Sequence, residues 1–265
     1  MGESENKNKL LRSLRFVDAI GIVVGSMIGS GIFLKASGIA QVITSPALIL
    51  IVWLTSGLLT LAGALVIAEL GAMIPEPGGL YVYLHRAYGP FVGFVFGWSL
   101  LAVLQTGSIA GLAAGSVQTL QALFPDIKPY SFLFAAALIA LLTIVNIVST
   151  VGGAQVQNIL TLAKVSGIGL LVAGAAFLEG GSAENLAAVE PVALNIGLLG
   201  AIGLCITKAL WAYDGWINLS FVAGEVQEPQ RNIPKAVGVG IAIVVSIYLA
   251  TNAAYHYVLP LEMVA

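Results

Sequence analysis

Seven apolar stretches occupy most of this chain: residues 16–43, 46–74, 90–123, 131–148, 159–177, 196–226 and 236–259. A helix needs about 20 predominantly apolar residues to cross a bilayer. Between the stretches stand helix breakers such as Thr44-Ser45-Pro46, Pro75-Glu76-Pro77-Gly78-Gly79, Pro125-Asp126 and Glu179-Gly180-Gly181. Only 9% of the 265 residues are charged and 58% are hydrophobic, whereas a soluble domain carries about 25% charged residues. Such a chain cannot cover a water-facing surface, which excludes a soluble enzyme and a disordered tail. A net charge of -2 is too weak to gather polyanions, so no nucleic-acid partner is expected. The expected fold class is an all-α integral membrane protein with the lipid bilayer as its surroundings. The single cysteine, Cys205, excludes a disulfide framework and any multi-cysteine metal site. No cofactor, metal or catalytic group is expected.

Lysine and arginine positions set the orientation. The polar tail, residues 1–15, carries Lys7, Lys9, Arg12 and Arg15 and has no cleavable signal pattern. With this end cytoplasmic, Arg86, Arg231 and Lys235 share its face. The other face holds Lys128, with Lys35 near its edge, and the loop after the fifth span is acidic through Glu179, Glu184 and Glu190. The N-terminus is therefore expected inside and the end of the seventh span outside. Residues 80–88, with His85 and Arg86, are expected to form a short helix along the cytoplasmic face.

Two spans are poor straight helices. In the first, Gly21, Gly25 and Gly29 lie four apart, a spacing that suits a close helix contact. That spacing leaves Gly29-Ser30-Gly31 unexplained, because two glycines around a serine at mid-depth sharply lower helix propensity. The sixth, 196–226, is too long for one straight crossing and holds Trp211-Ala212-Tyr213-Asp214-Gly215-Trp216 in its middle. A kinked structural helix is the plain alternative. A carboxylate at membrane depth points instead to a site. The two spans run in opposite directions, and paired interruptions in inverted halves mark a transporter's binding site.

The broken ends predict the ligand. The outer half of the first span begins near Gly31 with free N–H groups that suit a carboxylate, and the Ser30 hydroxyl adds a donor. Its inner half ends near Met27 and Ile28 with free carbonyls, and the outer half of the sixth span ends near Trp211 and Ala212 with more. Amides for a carboxylate beside carbonyls for an ammonium fit an α-amino acid. Lys164, in Thr161-Leu-Ala-Lys164 of the fifth span, costs about 2.5–3.5 kcal/mol to insert unpaired. It is expected to find carbonyl or carboxylate partners, or else to snorkel toward the interface.

The run from Gly25 to Phe33, GSMIGSGIF, resembles the first-helix motif of the amino acid–polyamine–organocation superfamily. Trp211 to Trp216, with the following Phe221-Val-Ala-Gly-Glu-Val-Gln-Glu-Pro-Gln-Arg-Asn-Ile-Pro-Lys235, is similar to the sixth helix and loop of its L-type amino acid transporter branch. Ala68-Glu69-Leu-Gly-Ala-Met-Ile-Pro75 and Gly78-Gly79-Leu-Tyr-Val-Tyr83 are similar to the second-helix end there. The resemblance implies the leucine-transporter-type inverted-repeat fold with discontinuous first and sixth helices. Residues 16–178 would form the first five-helix repeat, 179–195 an extracellular loop, and 196–265 the start of the second repeat. It also implies secondary active transport of amino acids at the cell membrane by alternating access, sodium-independent and either exchanging or proton-coupled. Ser30 and Gly31, with Gly29 beside them, would meet the substrate carboxylate, and Met27, Trp211 and Ala212 would offer carbonyls to its amine. Trp211 would also gate the site. Asp214 would either help bind the amine or hold unwound backbone N–H groups. Lys164 would replace a bound sodium ion and brace spans one and five near the carbonyls around Gly25.

Such permeases have about twelve spans, so a missing second half is an expected partner. A cationic amino acid or polyamine exchanger is the alternative within the superfamily, and a truncated, non-transporting membrane scaffold is the alternative outside it. Lys208 departs from the usual apolar residue at its position and is expected to neutralise Asp214 or to face water. His85 and His256 fall on opposite faces and share no metal. Asn218-Leu-Ser220 is a sequon at a depth where no glycan is added. Asp18 and Glu69 suit capping or loop pairing. Gln105 and Thr106 would line the pocket or join helices.

Overall fold

A computed structural model describes residues 12–148, 150–177, 181–187 and 196–264. Lys7, Lys9, Glu179 and Glu190 lie outside the described residues. Within them the chain is helical: α1 (Phe16–Met27), α2 (Gly31–Ala40), α3 (Pro46–Met73), α4 (Leu80–Tyr88), α5 (Pro90–Leu123), α6 (Ser131–Val148), α7 (Thr150–Phe177), α8 (Ala183–Ala187), α9 (Ile196–Ala212), α10 (Asn218–Phe221), α11 (Pro229–Val258) and α12 (Leu261–Val264). Among the described residues five helices are long and apolar enough to cross a membrane, and α1 with α2 makes a sixth span bent by 44°. The shorter apolar α9 falls at the expected sixth stretch, so the described chain is that of a multi-pass membrane protein.

Local chemistry sets the helix ends. Ser45 caps α3, its hydroxyl accepting the Leu48 N–H at 3.5 Å, with Pro46 in the first turn where a missing N–H costs nothing. The N–H of Arg15 donates to the Asp18 carboxylate at 2.9 Å, which makes Asp18 a cap of α1. α11 begins at Pro229, seven residues before the apolar stretch, because its first turns, residues 229–235, are polar but still helical. There Asn232 Nδ2 donates to the Gln227 carbonyl at 2.6 Å. α7 likewise begins at Thr150 rather than 159. Apolar runs report the buried length of a rod, not its whole length.

The chain divides into two compact units. In the unit formed by residues 1–83 and 164–265, α11 lies along α3 and α1 lies along α11. Gly57 lets Val245 close on α3, while Gly71 faces Ile233, so α3 and α11 run antiparallel. Val23 meets Gly240 and Met27 meets Tyr248, so α1 and α11 run parallel. In the unit of residues 84–163, α5 contains one π-helical turn, Leu100–Gln105. The Thr106 hydroxyl closes onto the Ala102 carbonyl of that turn at 2.6 Å, a bond within its own helix; among the described residues it joins no other. None of the residues of α6 is buried. Phe132 and Ile147 are 87% and 78% exposed, as a lipid-facing surface requires.

Candidate functional site

The first span breaks where its glycines predict. α1 ends at Met27, Ile28 turns out of the helix with ψ 92, and α2 restarts at Gly31 with Ser30 before it. In the sixth span α9 stops at Ala212, and a turn carries the chain to α10 at Asn218. Gly215 makes that turn with φ 120, a conformation that a side chain would strain.

The two gaps touch. A Cβ on Gly31 would lie 2.7 Å from Ala212 Cα, and one on Gly215 would lie 2.6 Å from the Ser26 carbonyl oxygen. Both glycines are required by close approach of backbone to backbone. Tyr248, from the middle of α11, reaches into the junction: its hydroxyl is 2.8 Å from the Met27 carbonyl and 2.9 Å from the Ala212 carbonyl. One hydroxyl proton shared between two carbonyls saturates neither, since each oxygen has two lone pairs. Behind it, the Trp53, Tyr213 and Tyr248 rings pack edge-on or tilted with centroids 4.9–5.9 Å apart. The Tyr213 hydroxyl donates to the Trp53 carbonyl at 3.1 Å.

Lys164 Nζ donates to the Ile28 carbonyl at 2.8 Å, in the break itself rather than near Gly25. Ser30 Oγ is buried in the same break without a hydrogen-bond partner. Met27, Gly31 and Ala212 are buried, Gly29 is half-buried, and Trp211 and Asp214 are exposed. The Asp214 carboxylate has no side-chain partner among the described residues, and its own N–H bonds back to Trp211 O at 3.3 Å.

Lys208 does not pair with Asp214 and is half-buried. Its Nζ donates to the Gly38 carbonyl of α2 at 2.6 Å. Lys35 places its ammonium 4.3 Å from the centre of the Trp211 ring. Contacts 31 with 212, 35 with 211 and 38 with 208 form one antiparallel seam between α2 and α9, which is the opposed running of the two spans. The other ends of the broken spans are joined differently. Leu14 N–H donates to the Glu225 carbonyl at 2.9 Å, and Gln227 N–H to the Leu14 carbonyl at 2.8 Å. Gly78 N–H donates to the Phe221 carbonyl at 3.1 Å in the same layer.

Tyr248, Trp53 and Tyr213 were not singled out by sequence. A signal existed for Tyr248: a phenol in the middle of an apolar span needs a partner for its hydroxyl. No group of histidine, cysteine and acidic side chains able to hold a metal occurs among the described residues.

The amino acid permease family matches residues 14–265. The chain is 36% identical over 261 residues to b(0,+)-type amino acid transporter 1 of Mus musculus, covering 96% of the chain and 53% of the relative. It is 32% identical to the serine/threonine exchanger SteT of Bacillus subtilis, covering 95% and 56%. It is 36% identical to large neutral amino acids transporter small subunit 2 of Homo sapiens, covering 93% and 47%. The chain spans about half the length of the curated relatives it matches.

Proposed function

This chain belongs to the amino acid permease family, and we propose that it forms the substrate-binding half of a sodium-independent amino acid transporter working by alternating access. The observation that carries the reading is the direct contact of two interrupted helices, with a buried, unpartnered Ser30 hydroxyl between their ends. The substrate carboxylate takes the Ser30 hydroxyl and the free N–H groups at the start of α2, beside Gly29 and Gly31. The ammonium takes the second lone pairs of the Met27 and Ala212 carbonyls, which Tyr248 holds in place. Trp211 covers the site as an aromatic gate, and Asp214 stands at its mouth.

Sodium independence is supported by Lys164, whose ammonium occupies the carbonyl of Ile28 where a bound cation would otherwise sit. The lysine and arginine asymmetry supports a cytoplasmic N-terminus in the cell membrane. In this reading residues 16–178 are the first repeat and 196–265 open the second. Relatives named as an exchanger and as transporters support amino acid substrates.

The test is serine and leucine binding to the purified protein, read by thermal stabilisation. Gly31→Val should abolish binding while Gly21→Ala leaves it intact, because nothing lies within 4 Å of a Cβ on Gly21. A scaffold would show no binding before any substitution.

A further inference from the structure

The junction holds more positive charge than an amino acid's backbone groups call for. Lys35 lies one turn beyond Gly31, on the face of α2 that meets α9. Lys208 lies one turn before Ala212, on the face of α9 that meets α2. Lys164 approaches from α7. Lys164 therefore stands in the first break and Lys35 one turn from it, whereas Lys208 caps the Gly38 carbonyl about two turns farther along α2; the exposed Asp214 at the second break pairs with none of them. The Arg15–Asp18 and Arg231–Glu228 pairs lie elsewhere.

The three lysines are not equivalent. Lys164 and Lys208 each satisfy a backbone carbonyl, which is a structural task. Lys35 makes no hydrogen bond among the described residues, and its contact is the Trp211 ring face, 4.3 Å away. That face is where a guanidinium or ammonium side chain of a bound ligand would stack, and Lys35 already covers it.

We infer that Lys35 is a specificity-determining residue: by occupying the Trp211 face, it makes the site take amino acids with neutral or acidic side chains and reject cationic ones and polyamines. The inference rests on the amino acid reading above and narrows it. All α-amino acids present the same carboxylate and ammonium to the broken ends, so those contacts cancel in any comparison. The side-chain charge remains, and a like charge within several ångströms of one lysine weakens binding by about tenfold or more.

The experiment measures serine, glutamate and arginine binding to the purified protein in detergent, through tryptophan fluorescence and thermal stabilisation. Serine and glutamate should bind, and arginine should bind at least about tenfold more weakly than serine. Lys35→Met should shrink that ratio to a few-fold, and Lys35→Arg should keep it. Arginine binding as tightly as serine to the unmodified protein overturns the inference, and this comparison needs no variant to fold. A ratio unmoved by Lys35→Met overturns it too. Binding of none of the three removes the amino acid reading and the inference with it, whereas equal binding of all three removes the inference alone.

Discussion

The two broken spans are joined at both of their ends, by different means. At one end the backbone before α1 and the backbone after α10 exchange hydrogen bonds through Leu14, Glu225 and Gln227. At the other, α2 and α9 are held by side chains, Lys208 on the Gly38 carbonyl and Lys35 on the Trp211 ring. A backbone join depends on peptide groups and tolerates most side chains. A side-chain join depends on single residues and on their charge. Movement that opens one end against the other therefore has unequal chemistry to break: directed amide bonds in the first case, screened and partly wet cation contacts in the second.

The largest expected effect lies at the pivot between these ends. Gly31→Val or Gly215→Val forces a side chain onto the opposing backbone, and the second adds strain from φ 120. Each should destabilise the protein by roughly 3 kcal/mol and abolish serine binding, read by thermal unfolding and by fluorescence titration. Gly21→Ala should be nearly silent in both. If the two classes of glycine behave alike, the pivot is misplaced.

Next comes Tyr248→Phe, which removes the donor between the Met27 and Ala212 carbonyls. A loss of about 1–3 kcal/mol is expected, with weaker binding of the substrate ammonium. Lys164→Met strips the Ile28 carbonyl of its donor and should cost a similar amount, with less disturbance of the Trp53–Tyr213–Tyr248 rings. Near-UV circular dichroism distinguishes the two, changing for Tyr248→Phe and staying unchanged for Lys164→Met.

The smallest effects sharpen the contrast between the joins. Gln227→Pro removes the N–H that bonds the Leu14 carbonyl and should cost about 1 kcal/mol, while Gln227→Ala keeps that N–H and should be near neutral. Lys208→Met at the seam should cost about 0.5–1.5 kcal/mol, and only there should Lys→Arg rescue. Rescue by charge at the Leu14 end, or its absence at the seam, would dissolve the distinction.

Much of this was legible in the chain. Gly29-Ser30-Gly31 and Asp214-Gly215 announced both breaks, because glycine and a carboxylate at mid-depth contradict a straight apolar rod. The residues that fill the junction were harder to see. Tyr248, Trp53 and Tyr213 look like ordinary apolar content until the antiparallel packing of α3 on α11 brings them together. Lys208 suggested a partner for Asp214 by sequence proximity, yet on a helix it points one turn away from that carboxylate and toward α2. The Leu14 join left no mark at all, since backbone groups are present in every residue and only tertiary placement pairs them.

The most direct test of the central claim, that the two gaps lie against each other, is a double-substitution cycle between positions 31 and 212. Gly31→Ala should lower the unfolding temperature, because its Cβ would lie 2.8 Å from that of Ala212, and Ala212→Gly, which removes that Cβ, should restore part of the loss. The same Ala212→Gly should restore nothing to Gly21→Ala. Partial recovery for the first pair alone is the predicted result; purely additive effects of the substitutions at 31 and 212 would contradict it.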